Sequence, residues 1–211
     1  MIAGDSFWKS CVAALVALVM VPFGARAATA WDAVLREGDI VFTGSPAGQG
    51  AAITAATGSP LTHCGVVFRR DGALMVLEAV QPVRVVPLVV FMRGGSPDRF
   101  TVRRLKRMPE SADLDKARAW ATKQVGRNYD SRFEWGDERL YCSELVWKLF
   151  DQAGVELCPL RKIGDYNLSH PTVRRLIESR YGSIDRLPKD AKIVAPSDLA
   201  GSPLLGEVKW E

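Results

Sequence analysis

Thr62-His63-Cys64-Gly65-Val66-Val67-Phe68-Arg69-Arg70-Asp71-Gly72-Ala73-Leu74-Met75-Val76-Leu77-Glu78-Ala79-Val80 holds both the strongest local structural signal of the chain and half of its candidate chemistry. Two runs rich in apolar and β-branched residues, 62 to 69 and 73 to 80, flank Asp71-Gly72. That dipeptide suits the positive φ values of a two-residue hairpin turn. With Arg70 facing Ala73, Gly65 lies opposite Glu78 and His63 opposite Val80, so His63 and Glu78 share one face as diagonal neighbours ~7–8 Å apart. A carboxylate at that reach can hold one imidazole nitrogen and fix the ring's tautomer, which is how a general base is oriented. A His that only satisfies a local hydrogen bond, with Glu78 at an exposed edge, fits the same pattern, and a one-residue slip in register would separate the two.

Upstream, a short helical lead from Trp31 to Arg36 precedes Gly38-Asp39 and a buried strand, Ile40-Val41-Phe42-Thr43. The Gly-, Ala-, Ser- and Thr-rich stretch from Gly44 to Pro60 reads as a loop with a short helix around Ala51 to Ala56. Downstream, Val83 to Val90 and Phe100 to Leu105 are two more strands around a Gly94-Gly95-Ser96-Pro97 turn. From Ser111 the period becomes helical: Leu114, Ala117, Ala121 and Val125 recur on one face, Ser111 is placed as a cap and Gly126 as a stop. A second helix runs from Tyr141 to Ala153, burying Leu145, Val146, Leu149 and Phe150 and stopping at Gly154. A third covers Pro171 to Tyr181, and Pro196-Ser197-Asp198-Leu199 reads as an extended segment and turn.

Cys142 falls at the start of the second helix, where free N–H groups and the positive end of the helix dipole stabilise a thiolate. A thiolate beside an imidazolium is the nucleophile of thiol hydrolases. A buried structural thiol, or a disulfide to Cys158, fits the spacing equally well.

Taken together, Gly38-Asp39-Ile40-Val41-Phe42, Ser59-Pro60-Leu61-Thr62-His63-Cys64-Gly65-Val66-Val67, Leu77-Glu78-Ala79-Val80, Gly126-Arg127-Asn128-Tyr129-Asp130, Tyr141-Cys142-Ser143-Glu144-Leu145-Val146 and Pro196-Ser197-Asp198-Leu199 resemble the permuted papain-like amidases of the YiiX/YaeF type, a circularly permuted branch of the NlpC-type cysteine peptidases. The specific mark is the order, His motif before Cys helix. The resemblance implies an α+β fold, with a small antiparallel sheet curled toward a barrel and the Cys142 helix packed on it. It further implies Cys142 as nucleophile, His63 as base and then acid, and Glu78 as the group that orients His63. Tyr129, thirteen residues before the nucleophile, would join the Cys142 backbone N–H in holding the oxyanion; a half-buried core Tyr is its plain alternative. Cys64 replaces the usual aliphatic residue and is expected to point to the opposite strand face as a structural thiol. His170 matches no family motif and is expected to be exposed.

Composition sets the outer limits. At 211 residues, 47% hydrophobic and 25% charged, the chain suits one globular domain. Lys9, an apolar run from Cys11 to Phe23 and the triplet Ala25-Arg26-Ala27 have the layout of a secretory signal peptide, so residues 1–27 are assigned to it and 28–211 to a single hydrolase domain. The run is shorter than the ~20 residues that span a bilayer, although an uncleaved anchor is the alternative. Export, to the periplasm, follows, with at most peripheral membrane contact. A net charge of +4 is too mild to imply nucleic acid. The basic stretch containing Arg93, Arg99, Arg103, Arg104, Lys106 and Arg107 reads as the solvated face of a strand and its loop rather than a polymer site. Three cysteines beyond the leader, Cys64, Cys142 and Cys158, leave at least one thiol unpaired in an oxidising compartment. With two His and no Cys-x-x-Cys, neither a metal nor an organic cofactor is expected.

The expected substrate is a peptide or muropeptide amide of the bacterial cell wall. Two alternatives stand beside it. A lipid-directed acyl hydrolase or acyltransferase, as in the lecithin:retinol acyltransferase branch, would need an apolar groove, expected from Leu88, Val89, Val90, Phe91 and the Gly44 to Pro60 loop. A non-catalytic envelope binding module would carry an oxidised thiol; a Cys142 to Cys158 bond is disfavoured because the intervening helix holds the two roughly 15 Å or more apart, against the ~4–7 Å a disulfide needs.

Overall fold

The computed structural model describes residues 31–209, so the signal-peptide assignment to 1–27 and the extreme ends of the 28–211 domain lie outside the described residues. Strand β1 (Ile40–Thr43) is followed by helix α1 (Gly48–Thr57), the hairpin β2 (His63–Arg70) and β3 (Ala73–Glu78), then β4 (Arg84–Pro87), α2 (Leu88–Arg93) and β5 (Thr101–Leu105). Helices α3 (Ser111–Gln124) and α4 (Cys142–Gln152) come next, then β6 (Arg161–Lys162), α5 (Pro171–Tyr181), β7 (Lys192–Ile193), α6 (Pro196–Ala200) and β8 (Leu205–Glu207). Six strands form one antiparallel sheet in the order β4-β3-β2-β1-β5-β8, and β6 pairs with β7 in a small second sheet. The architecture is α+β, as the motifs implied.

The hairpin has the expected register, Gly65 opposite Glu78 and Arg70 opposite Ala73. Its turn places Asp71 at φ 52° and Gly72 at φ 80°, the paired left-handed conformation that matches the twist of the flanking strands. Pairing with β3 ends at Glu78, so Val80 has left the strand and His63 pairs on its other side with Thr43 of β1.

Both faces of the central strands are buried, which is why β1 is an unbroken apolar run. One face, Ile40, Phe42, Cys64 and Val66, packs under α4 with Val146 and Phe150. The other, Val41, Val67, Val76 and Val102, is covered by Trp31, Leu35, Leu88 and Phe91. Part of the basic stretch is not solvated. Arg104 grips the fully buried Asp39 carboxylate with two bonds of 2.6 and 2.7 Å, and Asp39 also accepts from the Arg36 N–H at 2.8 Å.

Several local readings are corrected. The run Leu88-Val89-Val90 leaves the strand at Pro87 and coils into α2, because Leu88 and Phe91, one turn apart, find a pocket on the sheet; tertiary burial overrides β propensity there. Ser111 is the first helical residue and Glu110 the cap position; Val125 is exposed, and Ala117 and Gln124 are the buried residues of α3. Pro196-Ser197-Asp198-Leu199 forms α6 instead of an extended turn: proline starts the helix and the Asp198 carboxylate accepts the Ala195 N–H at 2.7 Å. The helix in the first loop is longer than expected, and the tail adds β8 to the sheet edge beside β5.

Candidate active site

Cys142 is the first residue of α4, after Tyr141 in extended conformation at the cap position. Three side chains set this entry angle. Glu144, fully buried, accepts the Tyr141 N–H at 3.4 Å and the Gly136 N–H at 3.1 Å and pairs with Lys148 at 2.9 Å. Burial pushes its carboxyl up to about 7, against the Lys148 charge. Ser143 Oγ donates to the Val194 carbonyl at 2.8 Å, and Tyr141 Oη accepts the Val194 N–H at 3.2 Å. Val194, just before the α6 cap at Ala195, therefore braces the start of the Cys142 helix and ties it to the Pro-Ser-Asp-Leu segment.

His63 opens β2, its side chain about a quarter exposed (24%), and its Nε2 lies 2.6 Å from Glu78 Oε2. The other carboxylate oxygen, Oε1, accepts from Arg84 Nε at 2.9 Å and forms an ion pair with Arg84 Nη2 at 2.9 Å. Arg84 faces Glu78 across the β3–β4 ladder. Phe91 stacks on the imidazole with ring centroids 5.4 Å apart and 25° between planes. The stacking needs room beside Gly65, which lies directly opposite Glu78: a Cβ there would come within 2.5 Å of Val76 Cγ1 and 2.7 Å of the Leu77 carbonyl, with Phe91 at 3.4 Å.

Cys142 hydrogen-bonds to His63. With Nε2 committed to Glu78, Nδ1 is the ring nitrogen left for the sulfur. A hydrogen bond from the Cys64 thiol, then the bond and charge of His63, hold the Cys142 thiol well below its ordinary value of 9.0, against the opposing pull of burial. Burial by itself would lower the His63 pKa, but the bonds and charges of Cys142 and Glu78 raise it from 6.5 to about 9. Both shifts favour a thiolate and an imidazolium as the resting pair. Burial would raise the Glu78 carboxyl, yet the hydrogen bonds of His63 and then Arg84 bring it below 4.5, so it stays charged beside the ring.

Cys64 points into the core, as expected of a structural thiol, and has Cys142 as a neighbour there. It is fully buried on the α4 side of the sheet, as strand alternation required. Burial, then the Cys142 charge, push its thiol well above 9.0, so it stays protonated and donates to the thiolate. Cys64, Cys142 and Cys158 are all free of disulfide bonds. His170 is exposed and caps α5, accepting the Thr172 N–H at 3.2 Å.

Tyr129 packs against the core cluster that contains Cys64 and Cys142. Its backbone is held on both sides: Gln81 Oε1 accepts the Tyr129 N–H at 2.7 Å, and Asn128 and Asp130 bond to Leu140, two residues before the nucleophile. Burial, then the Cys142 charge, raise its pKa, while a hydrogen bond from Gln49 and the Arg180 charge act in the opposite sense. Gln49 Nε2 donates to Tyr129 Oη at 2.8 Å, and Arg180 Nη2 donates to Gln49 Oε1 at 2.5 Å.

Arg84, Phe91, Gln49 and Arg180 are neighbours that sequence reasoning missed. Arg84 could have been found by extending the strand ladder one step past Glu78. The other three depend on α1, α2 and α5 docking, which no local pattern encodes.

Against known proteins, the profile of the permuted papain-like amidase enzymes, YaeF/YiiX, C92 family, matches residues 34–209. The chain belongs to this family. It is 33% identical over 204 residues to YiiX of Escherichia coli strain K12, covering 96% of each chain. It superposes on the crystal structure of metalloprotein YiiX from Escherichia coli O157:H7 with a TM-score of 0.77 and 33% identity, over 83% of this chain and 97% of that one. The described residues do not suit a metal. Among the described residues no group of three or more His, Cys, Asp or Glu side chains is arranged to hold an ion, and Glu78 is already shared between His63 and Arg84.

Proposed function

We propose that this family member is an exported cysteine amidase acting on peptide bonds of the bacterial cell wall. The observation that carries the reading is the contact of Cys142, at the start of α4, with a His63 whose far nitrogen is bound to Glu78 at 2.6 Å. Cys142 thiolate attacks the amide carbonyl; the oxyanion is held by the Cys142 backbone N–H and the Tyr129 hydroxyl. His63 gives its proton to the departing amine, leaving a thioester on Cys142. Water, deprotonated by the now neutral His63, attacks the thioester, and the acid leaves as the thiolate re-forms. Glu78 holds the ring in place through both steps. Export rests on the leader pattern in residues 1–27, and the periplasm is the compartment it implies. Among the described residues no helix is long and apolar enough to cross a membrane.

A second reading, acyl transfer or hydrolysis on a lipid, is favoured by a cavity of about 110 Å³ that reaches Cys142. Its walls include Ala52, Ile53, Val173, Ile177 and Ile193, from α1, α5 and β7. Of the groove expected for that reading, the Gly44 to Pro60 stretch does line this cavity, with Ala52 and Ile53, but Leu88 and Phe91 do not: both are buried and Phe91 stacks on His63.

Mature protein and its Cys142→Ser variant, incubated separately with muropeptides and with an acylated amine, distinguish the readings by mass spectrometry. Cys142-dependent cleavage of muropeptides without fatty-acid release is expected. Fatty-acid release alone would replace the first reading by the second. Turnover unchanged in Cys142→Ser would overturn both.

A further inference from the structure

Tyr129 Oη is held from behind by a two-residue chain of donors that starts at a charge. Arg180 can only donate, so its 2.5 Å bond requires the oxygen of the Gln49 amide to face it and turns the Gln49 nitrogen toward Tyr129, 2.8 Å away. Tyr129 Oη is therefore an acceptor toward Gln49. Its own hydrogen is left free to point elsewhere, and Tyr129 packs against the cluster that holds Cys142. The three residues come from α1, the loop before α4, and α5, with sequence separations of 80 and 131. Arg180 sits over the Phe133 ring at 5.0 Å, and its Nη1 is buried without a hydrogen-bond partner among the described residues. A half-buried guanidinium with an unpaired, buried nitrogen is costly to keep for packing alone.

We propose that Gln49 and Arg180 are positioning residues that aim the Tyr129 hydroxyl hydrogen at the oxyanion formed on the carbonyl attacked by Cys142. The charge on Arg180 polarises the Gln49 amide, which becomes a stronger donor to Tyr129, and the Tyr129 O–H in turn becomes a stronger donor to the oxyanion. The chain stabilises only the tetrahedral state, because the thiolate and imidazolium are formed without it. This inference rests on the reading of Tyr129 as an oxyanion donor.

Gln49→Glu separates the proposal from a packing role. The carboxylate has the same shape and pairs with Arg180, so it leaves packing in place, but it has no hydrogen to give Tyr129. Tyr129 then donates to residue 49 and turns its hydrogen away from the oxyanion. The probe is p-nitrophenyl acetate, read as the burst rate of acylation, alongside iodoacetamide alkylation of Cys142, which has no oxyanion. Tyr129→Phe is expected to slow the burst about a hundredfold, the usual cost of one oxyanion donor. Gln49→Glu is expected to slow it by a similar factor with the alkylation rate unchanged, and to add nothing in the Tyr129→Phe background. A full burst rate in Gln49→Glu with a slow one in Tyr129→Phe overturns the relay and leaves the Tyr129 reading intact. A full burst rate in Tyr129→Phe overturns the Tyr129 reading and the relay with it, whereas a Gln49→Glu effect that adds fully to that of Tyr129→Phe overturns the relay alone.

Discussion

Replacing Glu78 by Gln keeps the side chain that grips His63 and removes its charge. His63 is raised from 6.5 to about 9 by two partners, Cys142 first and Glu78 second. An opposite charge at hydrogen-bond distance shifts a titrating group by about 1–3 units. Glu78→Gln should therefore lower the His63 midpoint by about 1–2 units, with each unit equal to about 1.4 kcal/mol. The sign is downward, because the positive ring loses its anionic neighbour. The leaving amine needs a protonated His63, so the alkaline limb of kcat/KM should move to lower pH by the same amount. Ring-carbon NMR reads the midpoint directly: the chain has only two His, and His170→Gln removes the second signal. The reasoning is refuted if wild-type His63 titrates near 6.5, or if its midpoint is the same in Glu78→Gln.

Three further outcomes follow from the same structure. Arg104→Met leaves the buried Asp39 carboxylate without its partner and should destabilise the fold by about 3–5 kcal/mol in urea unfolding, far more than an exposed Arg substitution would. Gly65→Ala forces a methyl group into the space between Val76, Leu77 and Phe91; a loss of about 1–3 kcal/mol, with slower alkylation of Cys142 as the Phe91–His63 stack shifts, is expected from the same unfolding and labelling assays. Between pH 6.5 and about 9 the Cys142–His63 pair binds one proton in both states, on Cys142 when unfolded and on His63 when folded. Its contribution to stability, measured against a Cys142→Ala/His63→Ala double variant, should be flat over that window. It should shrink as the pH falls below 6.5, where the unfolded His takes up a second proton that the folded pair refuses.

Much of this was legible from local chemistry. Asp71-Gly72 could form one tight turn, and that turn set the register that brings His63 and Glu78 onto one face. The capped, amphipathic run after Tyr141 placed Cys142 at a helix N-terminus. What was not legible depends on docking between distant segments. Leu88 to Phe91 has the composition of a strand, and only the pocket formed by Val67, Val76 and their neighbours makes it a helix. Cys64 was placed on the correct strand face, yet its partnership with Cys142 depends on which helix covers that face. Gln49 and Arg180 lie 131 residues apart, on helices whose sequences give no sign of each other.

The most direct test of the account is the rate of iodoacetamide labelling of Cys142 against pH, in mature protein and in His63→Ala, with peptide mapping to separate Cys64, Cys142 and Cys158. The account predicts that Cys142 alone reacts well below pH 8 and that its profile moves up toward that of an ordinary thiol when His63 is removed. Cys142 unreactive below pH 8, or labelled with the same profile in both proteins, would contradict the thiolate–imidazolium pair and with it the reading of this site as an amidase centre.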